Sequence, residues 1–571
     1  MSRNLNNWLT TSLAVLLVMA LVVGCSGNSN NNGTGNNVKN SANGNDQGEE
    51  NADSLWSVPV DENQKYTETV PLTALRITPA DVKYVPGESE SDNYYIKWMK
   101  KQFNIDLTFP WTTTKEDAFN SKLSLMLASN EKMPDIVVAK GDIVNDLIDS
   151  GKFMEVGPLF DKLASDTWKD AVGQATNAWL PYSRDGKRYA LPSLVDAYQQ
   201  DDVLWVRQDW LDKLGLKAPT TLEEMENVMD AFVNQDPDGN SEKDTIGLAI
   251  GIKDGFVSYM SDTAPLWGAN GTMVKQWNLT EDGSLEYGSI NQGARDTLEM
   301  LARWYEKGYL PQEAALYDIN KASESVVNGK AGMIFGAHWL AEWPVPDVVK
   351  NDPDANFQPI PIPTGPNGDK GFREASAVNG AILISKEAKN PDAFFLYNNW
   401  LYERYPTRQD PFDTKGDPDS NTPKGIYDLF QEKRIEGDYS NPDKLSITTN
   451  FVVIPNLRMQ HYAALLEGKE PTDDFMEQLS RQKPEGNFKA ASIILKDKEF
   501  GMPDMFQGTP TPTMLGKKAF LDKLELETFT KIIYGQAPIS EFDSFVKKWN
   551  SSGGENITKE VNEWYEKSSG N

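Results

Sequence analysis

Asn93-Tyr94-Tyr95-Ile96-Lys97-Trp98-Met99-Lys100-Lys101-Gln102-Phe103-Asn104-Ile105-Asp106-Leu107-Thr108-Phe109 changes its apolar period partway along. Tyr95, Trp98, Met99 and Phe103 recur at helical spacing and give one apolar face. Ile105, Leu107 and Phe109 then alternate, as a half-buried strand does. The same exchange repeats outward. Upstream, 70–77 reads as a strand, with Leu72, Leu75 and Ile77 apolar. Downstream, Phe119, Leu123, Met126 and Leu127 mark a second helix, and Ile136-Val137-Val138-Ala139 a short buried strand after the break at Pro134. A further strand is expected at 203–207. Thr221 and Glu224 have the spacing of a capping box, opening a helix striped by Leu222, Met225, Val228, Met229 and Phe232. Strands alternating with helices predict an α/β fold with mostly parallel sheets. No internal repeat is visible.

The N-terminus is of another kind. An unbroken apolar run from Leu13 to Val23 follows a polar start carrying Arg3. It is too short to span a bilayer, which needs roughly 20 residues, and it suits the centre of an export signal. Val22-Val23-Gly24-Cys25 resembles a bacterial lipobox, which implies cleavage before Cys25, lipidation of its thiol and new amino terminus, and anchoring on the outer face of the cell membrane. Cys25 is the single cysteine of the chain, so disulfides are excluded. Of the 25 residues from Ser26 to Glu50, 17 are Asn, Gly or Ser. Such a stretch has little to bury and is expected to be a tether reaching roughly 25–30 Å.

Composition narrows the function. A net charge of -28 argues against nucleic acid and against charge-driven binding to anionic lipid. Catalytic patterns are poor. The two histidines, His338 and His461, lie outside any zinc motif, and neither a nucleophile elbow nor a phosphate loop is present. His338, beside Trp339, is a candidate cleft residue. Most of the 16 Trp, 20 Tyr and 23 Phe are expected in the core, and the surplus of Trp over a typical chain points to flat apolar ligands such as sugar rings. The clearest chemical motif is acidic. Asp236, Asp238, Asn240 and Asp244 take positions 1, 3, 5 and 9 of a calcium loop, and Glu242 at position 7 offers a carbonyl. Ser241 and Gly247 depart from that pattern at positions 6 and 12. A structural calcium is expected; the alternative is a solvated Asp-Pro-Asp-Gly turn.

Several stretches, in order, resemble the family 1 extracellular solute-binding proteins. They are Asp185-Gly186-Lys187-Arg188-Tyr189-Ala190-Leu191-Pro192, Leu204 to Leu216, Pro219-Thr220-Thr221, Val327-Asn328-Gly329-Lys330-Ala331-Gly332-Met333 with Trp339, and Ile384-Ser385-Lys386 through Asn390-Pro391-Asp392-Ala393. Leu526 to Gly535 and Ile557 to Tyr565 look like the large lipoproteins of the LipO type from Gram-positive bacteria, which serve carbohydrate ABC importers. The resemblance runs from Val70 to the end.

It implies a type 2 periplasmic-binding-protein-like fold, with two α/β lobes, a hinge and a ligand cleft between them. The implied order is a signal over 1–24, a tether over 25–56, a first lobe over 57–192 and 376–450, and a second lobe with C-terminal helices over 193–375 and 451–571. Alginate-binding relatives carry calcium in a similar loop, with an acidic residue where this chain has Thr245. Trp267 in a loop, Trp339 and Trp343 in a Gly- and Pro-flanked stretch, Tyr198, Trp111 and Arg458 fall where the family fold puts the cleft. They are the expected sugar contacts. The leading expectation is a monomeric, non-enzymatic, lipid-anchored receptor that delivers an oligosaccharide to ABC permease subunits. A receptor for a peptide or other solute, or a surface glycosidase, is the alternative.

Overall fold

The computed structural model describes residues 56–404, 442–448 and 452–569. Cys25, the signal and the tether lie outside the described residues.

The opening stretch folds as its two periods require. The Asn93 side chain accepts from the N–H groups of Tyr95 (3.0 Å) and Ile96 (3.1 Å) and closes the start of the helix Tyr94–Phe103. Asn104, at φ 59°, ends it in the left-handed conformation that Asn tolerates. The strand Ile105–Thr108 then buries Ile105 and Leu107 and exposes Asp106 and Thr108. It pairs in parallel with Val70–Leu75, which pairs in parallel with Ile136–Ala139. Val378–Ile384 and Leu191–Leu194 complete a five-stranded sheet.

A second, four-stranded sheet runs Phe357–Ile360, Val203–Arg207, Ala331–Gly336, Ile246–Leu248. The helix Leu222–Asn234 packs beside it. Thr221 Oγ1 accepts from Glu224 N at 3.1 Å, and Leu222, Met225, Val228, Met229 and Phe232 are buried. The Glu224 carboxylate reaches Thr220 N rather than Thr221 N, so the capping box is displaced by one residue on its return arm.

The expected mostly parallel sheets are corrected to mixed ones. Val378–Ile384 is antiparallel to both its neighbours, and Val203–Arg207 is antiparallel to both of its own. Each antiparallel strand lies beside a point where the chain passes between the two sheets. A strand that arrives from the other sheet is free of the right-handed crossover that keeps βαβ units parallel.

Each sheet has its own core. Leu72, Trp98, Phe103, Trp168, Ile382, Phe394 and Trp400 pack under the first. Leu204, Phe232, Leu248, Trp267 and Phe335 pack under the second, joined by Phe529, Phe542, Phe545 and Trp549 of the C-terminal helices. Among the described residues the chain passes between the cores at three places: after Leu194, before Val378, and after Ile454, since Val452 and Ile454 still pack with the first. No described helix is long and apolar enough to cross a membrane.

Candidate functional site

A polar cavity of about 1150 Å³ opens between the two sheets. One wall comes from the first lobe, with Glu116, Lys140, Asp142, Asn145 and Tyr182; the opposite wall is Lys275, Gln276, Asp504, Phe506 and Gln507. The floor is made by two crossing segments, Val195–Gln200 and Arg373–Gly380, through Asp196, Gln199, Gln200, Arg373 and Glu374. The volume fits a ligand of several rings.

The floor is held from behind. Val195 N donates to Ala377 O and Ala197 N to Pro455 O, both at 2.9 Å, which ties the three crossings together. Arg458 grips the Asp196 carboxylate with Nε (3.0 Å) and Nη2 (2.9 Å) while lying 5.0 Å over the Phe475 ring. Trp339 Nε1 donates to Gln199 O at 2.7 Å. Tyr198, between these two anchors, sits at φ 63° and packs against clusters of both lobes. A non-glycine residue in that region is held by its surroundings, at functional sites above all.

Beneath the floor lies a group of buried carboxyls. Asp201, Asp202 and Asp262 are all sealed from water. Ala375 N donates to Asp201 (3.3 Å), and Ser258 N (2.5 Å) and Ala264 N (3.2 Å) to Asp262. Burial pushes Asp201 up to about 8 and Asp202 well above the carboxylate range. Asp262 is raised for the same reason. Arg373, whose Nη2 donates to Gln200 Oε1 at 2.7 Å, opposes these shifts with its charge. On the far wall, burial lifts Asp504 to about 6, although its carboxylate accepts from Trp277 N and Phe506 N at 3.1 Å each. Hydrogen-bonding carboxyls, amides and a guanidinium beside two aromatic rings can grip a hydroxyl-rich solute.

Residues 86–404 match the family described as bacterial extracellular solute-binding protein. The chain belongs to that family. It is similar to lipoprotein LipO of Bacillus subtilis, 24% identical over 495 residues that cover 84% of this chain and 90% of LipO. The fructooligosaccharide ABC transporter substrate-binding protein FusA of Streptococcus pneumoniae is 25% identical over 56% of this chain and 59% of its own length. The polygalacturonan/rhamnogalacturonan-binding protein YtcQ of B. subtilis is 24% identical over 82% of this chain and 87% of its own. In fold, an extracellular solute-binding protein from Bifidobacterium longum subsp. infantis superposes with a TM-score of 0.59 at 18% identity, covering 88% of this chain and 98% of that one.

Within this solute-binding fold, the residues expected to touch ligand lie elsewhere. Among the described residues, the cavity lining includes none of Trp267, Trp339, Trp343, Tyr198, Trp111 and Arg458. Trp267 is 0% exposed, in a short helix Ala264–Gly268 rather than a loop. Its Nε1 donates to Thr263 Oγ1 at 2.8 Å, and its ring stacks on Phe529 at 6.0 Å. Trp111 packs on Phe119 under Lys122, away from the cavity. Trp343 is a surface residue, 37% exposed. Trp339 and Arg458 stand behind the floor and hold Gln199 and Asp196, and Tyr198 lies between those two anchored stretches. His338 is also behind it, packed against Tyr462 and pushed by burial down to about 3. The lining residues themselves were signalled by a polar run, Asp196-Ala197-Tyr198-Gln199-Gln200-Asp201-Asp202, set between two strands at a crossing.

The acidic loop does not fit calcium. Asp236 accepts from Ser241 N at 3.2 Å, and Asn240 donates to Asp238 (2.8 Å) and Asp244 (3.2 Å) while accepting from Glu242 N. The Lys330 ammonium binds Asp244 and lies 3.9 Å from Asp238, where a cation would stand. Thr245, in the place of the relatives' acid, is buried and donates to Phe232 O at 2.7 Å. A side chain at Gly247, position 12, would put its Cβ 2.4 Å from Met229 Cγ. Six to eight oxygens are needed, and these spend theirs on the loop's own N–H groups and on Lys330. Among the described residues no three acidic, histidine or cysteine side chains form a metal group. A chelator and added calcium should each leave the thermal midpoint where it was. A calcium-dependent rise would return the loop to the metal.

Proposed function

We propose that the chain is a receptor that binds an oligosaccharide in this cavity and presents it to the permease subunits of an ABC importer. The observation that carries the reading is the polar 1150 Å³ cavity, whose floor is made by segments crossing between the lobes. A ligand there touches both lobes and the crossings at once, so binding favours hinge closure. The names of FusA and YtcQ support a sugar as the ligand. The family is extracellular. We propose in addition that Cys25 carries the lipid that holds the chain at the membrane, as the likeness to LipO suggests. The moving bodies we propose are 57–192 with 376–404 and 452–454, and 203–375 with 457–569, turning about these crossings.

The test is a thermal-shift screen of the purified chain with oligosaccharides and peptides, followed by chromatography of the recovered ligand. A bound sugar should raise the midpoint, by mass action about 2.7 kcal/mol of stability at a hundred times Kd, and should return intact. Stabilisation by peptides alone would replace the ligand class. Shortened sugars would mean an enzyme.

A further inference from the structure

The two aromatic rings that line the cavity are not alike. Tyr182 is 7% exposed; its hydroxyl donates to Gly380 O at 2.8 Å, and its ring packs in a core cluster with Ile143, Phe153 and Leu383. Phe506 is half-buried and belongs to the stretch 503–508. From that stretch only Met505 turns away from the cavity, toward the first lobe, where Asn177 Nδ2 donates to its Sδ at 3.3 Å. The stretch is pinned to the second lobe at Trp277. Met505 N donates to Trp277 O at 3.0 Å, and Asp504 Oδ1 accepts from Trp277 N and Phe506 N at 3.1 Å each. The Phe506 ring meets Trp564 of the C-terminal helix Glu555–Ser569 edge to face, with centroids 4.9 Å apart. Glycine at 508 lets the rings meet: a Cβ there would stand 2.7 Å from Trp564 Nε1 and 3.0 Å from Phe506 Cε2.

We infer that Phe506 is the stacking platform of the cleft, clamped for that task by Trp564, and that it takes a sugar unit with a flat C–H face; the inference rests on the sugar-receptor reading above. Among the described lining residues no other ring is available, since that of Tyr182 is spent on the core. An aromatic face carries the negative part of the ring's quadrupole and attracts the C–H groups that a pyranose presents on its flat side. The hydroxyls at the rim of such a unit need acceptors, and the same wall supplies them. Asp504 spends Oδ1 on two backbone N–H groups and keeps Oδ2. Gln276 donates through Nε2 to Met502 O at 3.1 Å and keeps Oε1. Trp564 does not line the cavity, so it is a positioning residue. A ring already held edge-on loses less freedom when a ligand lies on it, and that saving appears as affinity.

The test is calorimetric titration of the full chain with galactotetraose, xylotetraose, cellotetraose, maltotetraose and nystose, the tightest of which is then carried through the variants, with the unfolding midpoint of each variant measured alongside. Phe506→Ala and Phe506→Leu should each weaken that sugar by about fivefold or more, and Phe506→Tyr should stay within about threefold of the parent. Leu restores apolar volume without a π face, so it separates stacking from mere filling, and it keeps the comparison open if the Ala variant misfolds. Trp564→Ala should weaken the parent by about threefold and change nothing further once Phe506 is Ala. Trp564→Phe, which keeps an aromatic neighbour, should restore the affinity. A Phe506→Leu protein that binds as tightly as the parent overturns the platform and leaves the receptor reading intact. Equal losses from Trp564→Ala in both backgrounds overturn the positioning role. If no sugar of the set binds the parent, the receptor reading falls and the inference with it.

Discussion

Replacing Trp267 by Ala should cost about 3–5 kcal/mol of stability, the range for truncating a buried aromatic, and should leave the sugar affinity of the folded protein unchanged. The indole is sealed from water, stacked on Phe529 of the C-terminal helix Pro512–Ile533 and edge-on to Phe256. Truncation opens a cavity where the second lobe's core meets the C-terminal helices. It also leaves the Thr263 hydroxyl without the indole N–H. Denaturant unfolding and calorimetric titration on one variant read the two quantities separately. Weakened binding at unchanged stability would move the indole back into the ligand site.

That side chain marks where the sequence stops being legible. Local period is written in neighbours, so the helix Tyr94–Phe103, the strand after it and the striped helix after Thr221 all stand where the spacing puts them. Burial of a lone aromatic is written in partners far along the chain. Trp267 is core because Phe529, 262 positions on, covers it. Strand direction is non-local in the same way, which is why Val378–Ile384 runs against its neighbours unannounced. The site was half legible. Arg458 and Trp339 do gather behind the cleft floor, but they reach it through Asp196 and Gln199. Aromatic content points to rings, whereas the floor is made of the polar residues that a crossing chain leaves between two cores.

The buried acids under that floor should make stability fall as pH rises. Asp201 keeps its proton up to about pH 8 in the folded chain, against 3.8 for the free side chain. Between those values the folded state holds a proton that the unfolded chain releases, so each pH unit removes up to about 1.4 kcal/mol. Asp202, Asp262, Asp504 (about 6) and Glu525 (about 7) are raised by burial too and act in the same direction. His338, pushed down to about 3, acts oppositely: below pH 6.5 the unfolded chain takes up a proton that the folded one refuses. One imidazole against several carboxyls leaves the net slope negative from about pH 5 to 8. Asp201→Asn retains an oxygen for Ala375 N and has no proton to lose. Its unfolding midpoint should match the parent below about pH 4, where Asp201 is protonated in both states, and exceed it increasingly up to pH 8, with a shallower slope between. Parallel pH profiles for the two proteins would mean that Arg373 keeps Asp201 ionised, and that the carboxyls beneath the cleft floor enter folding already charged.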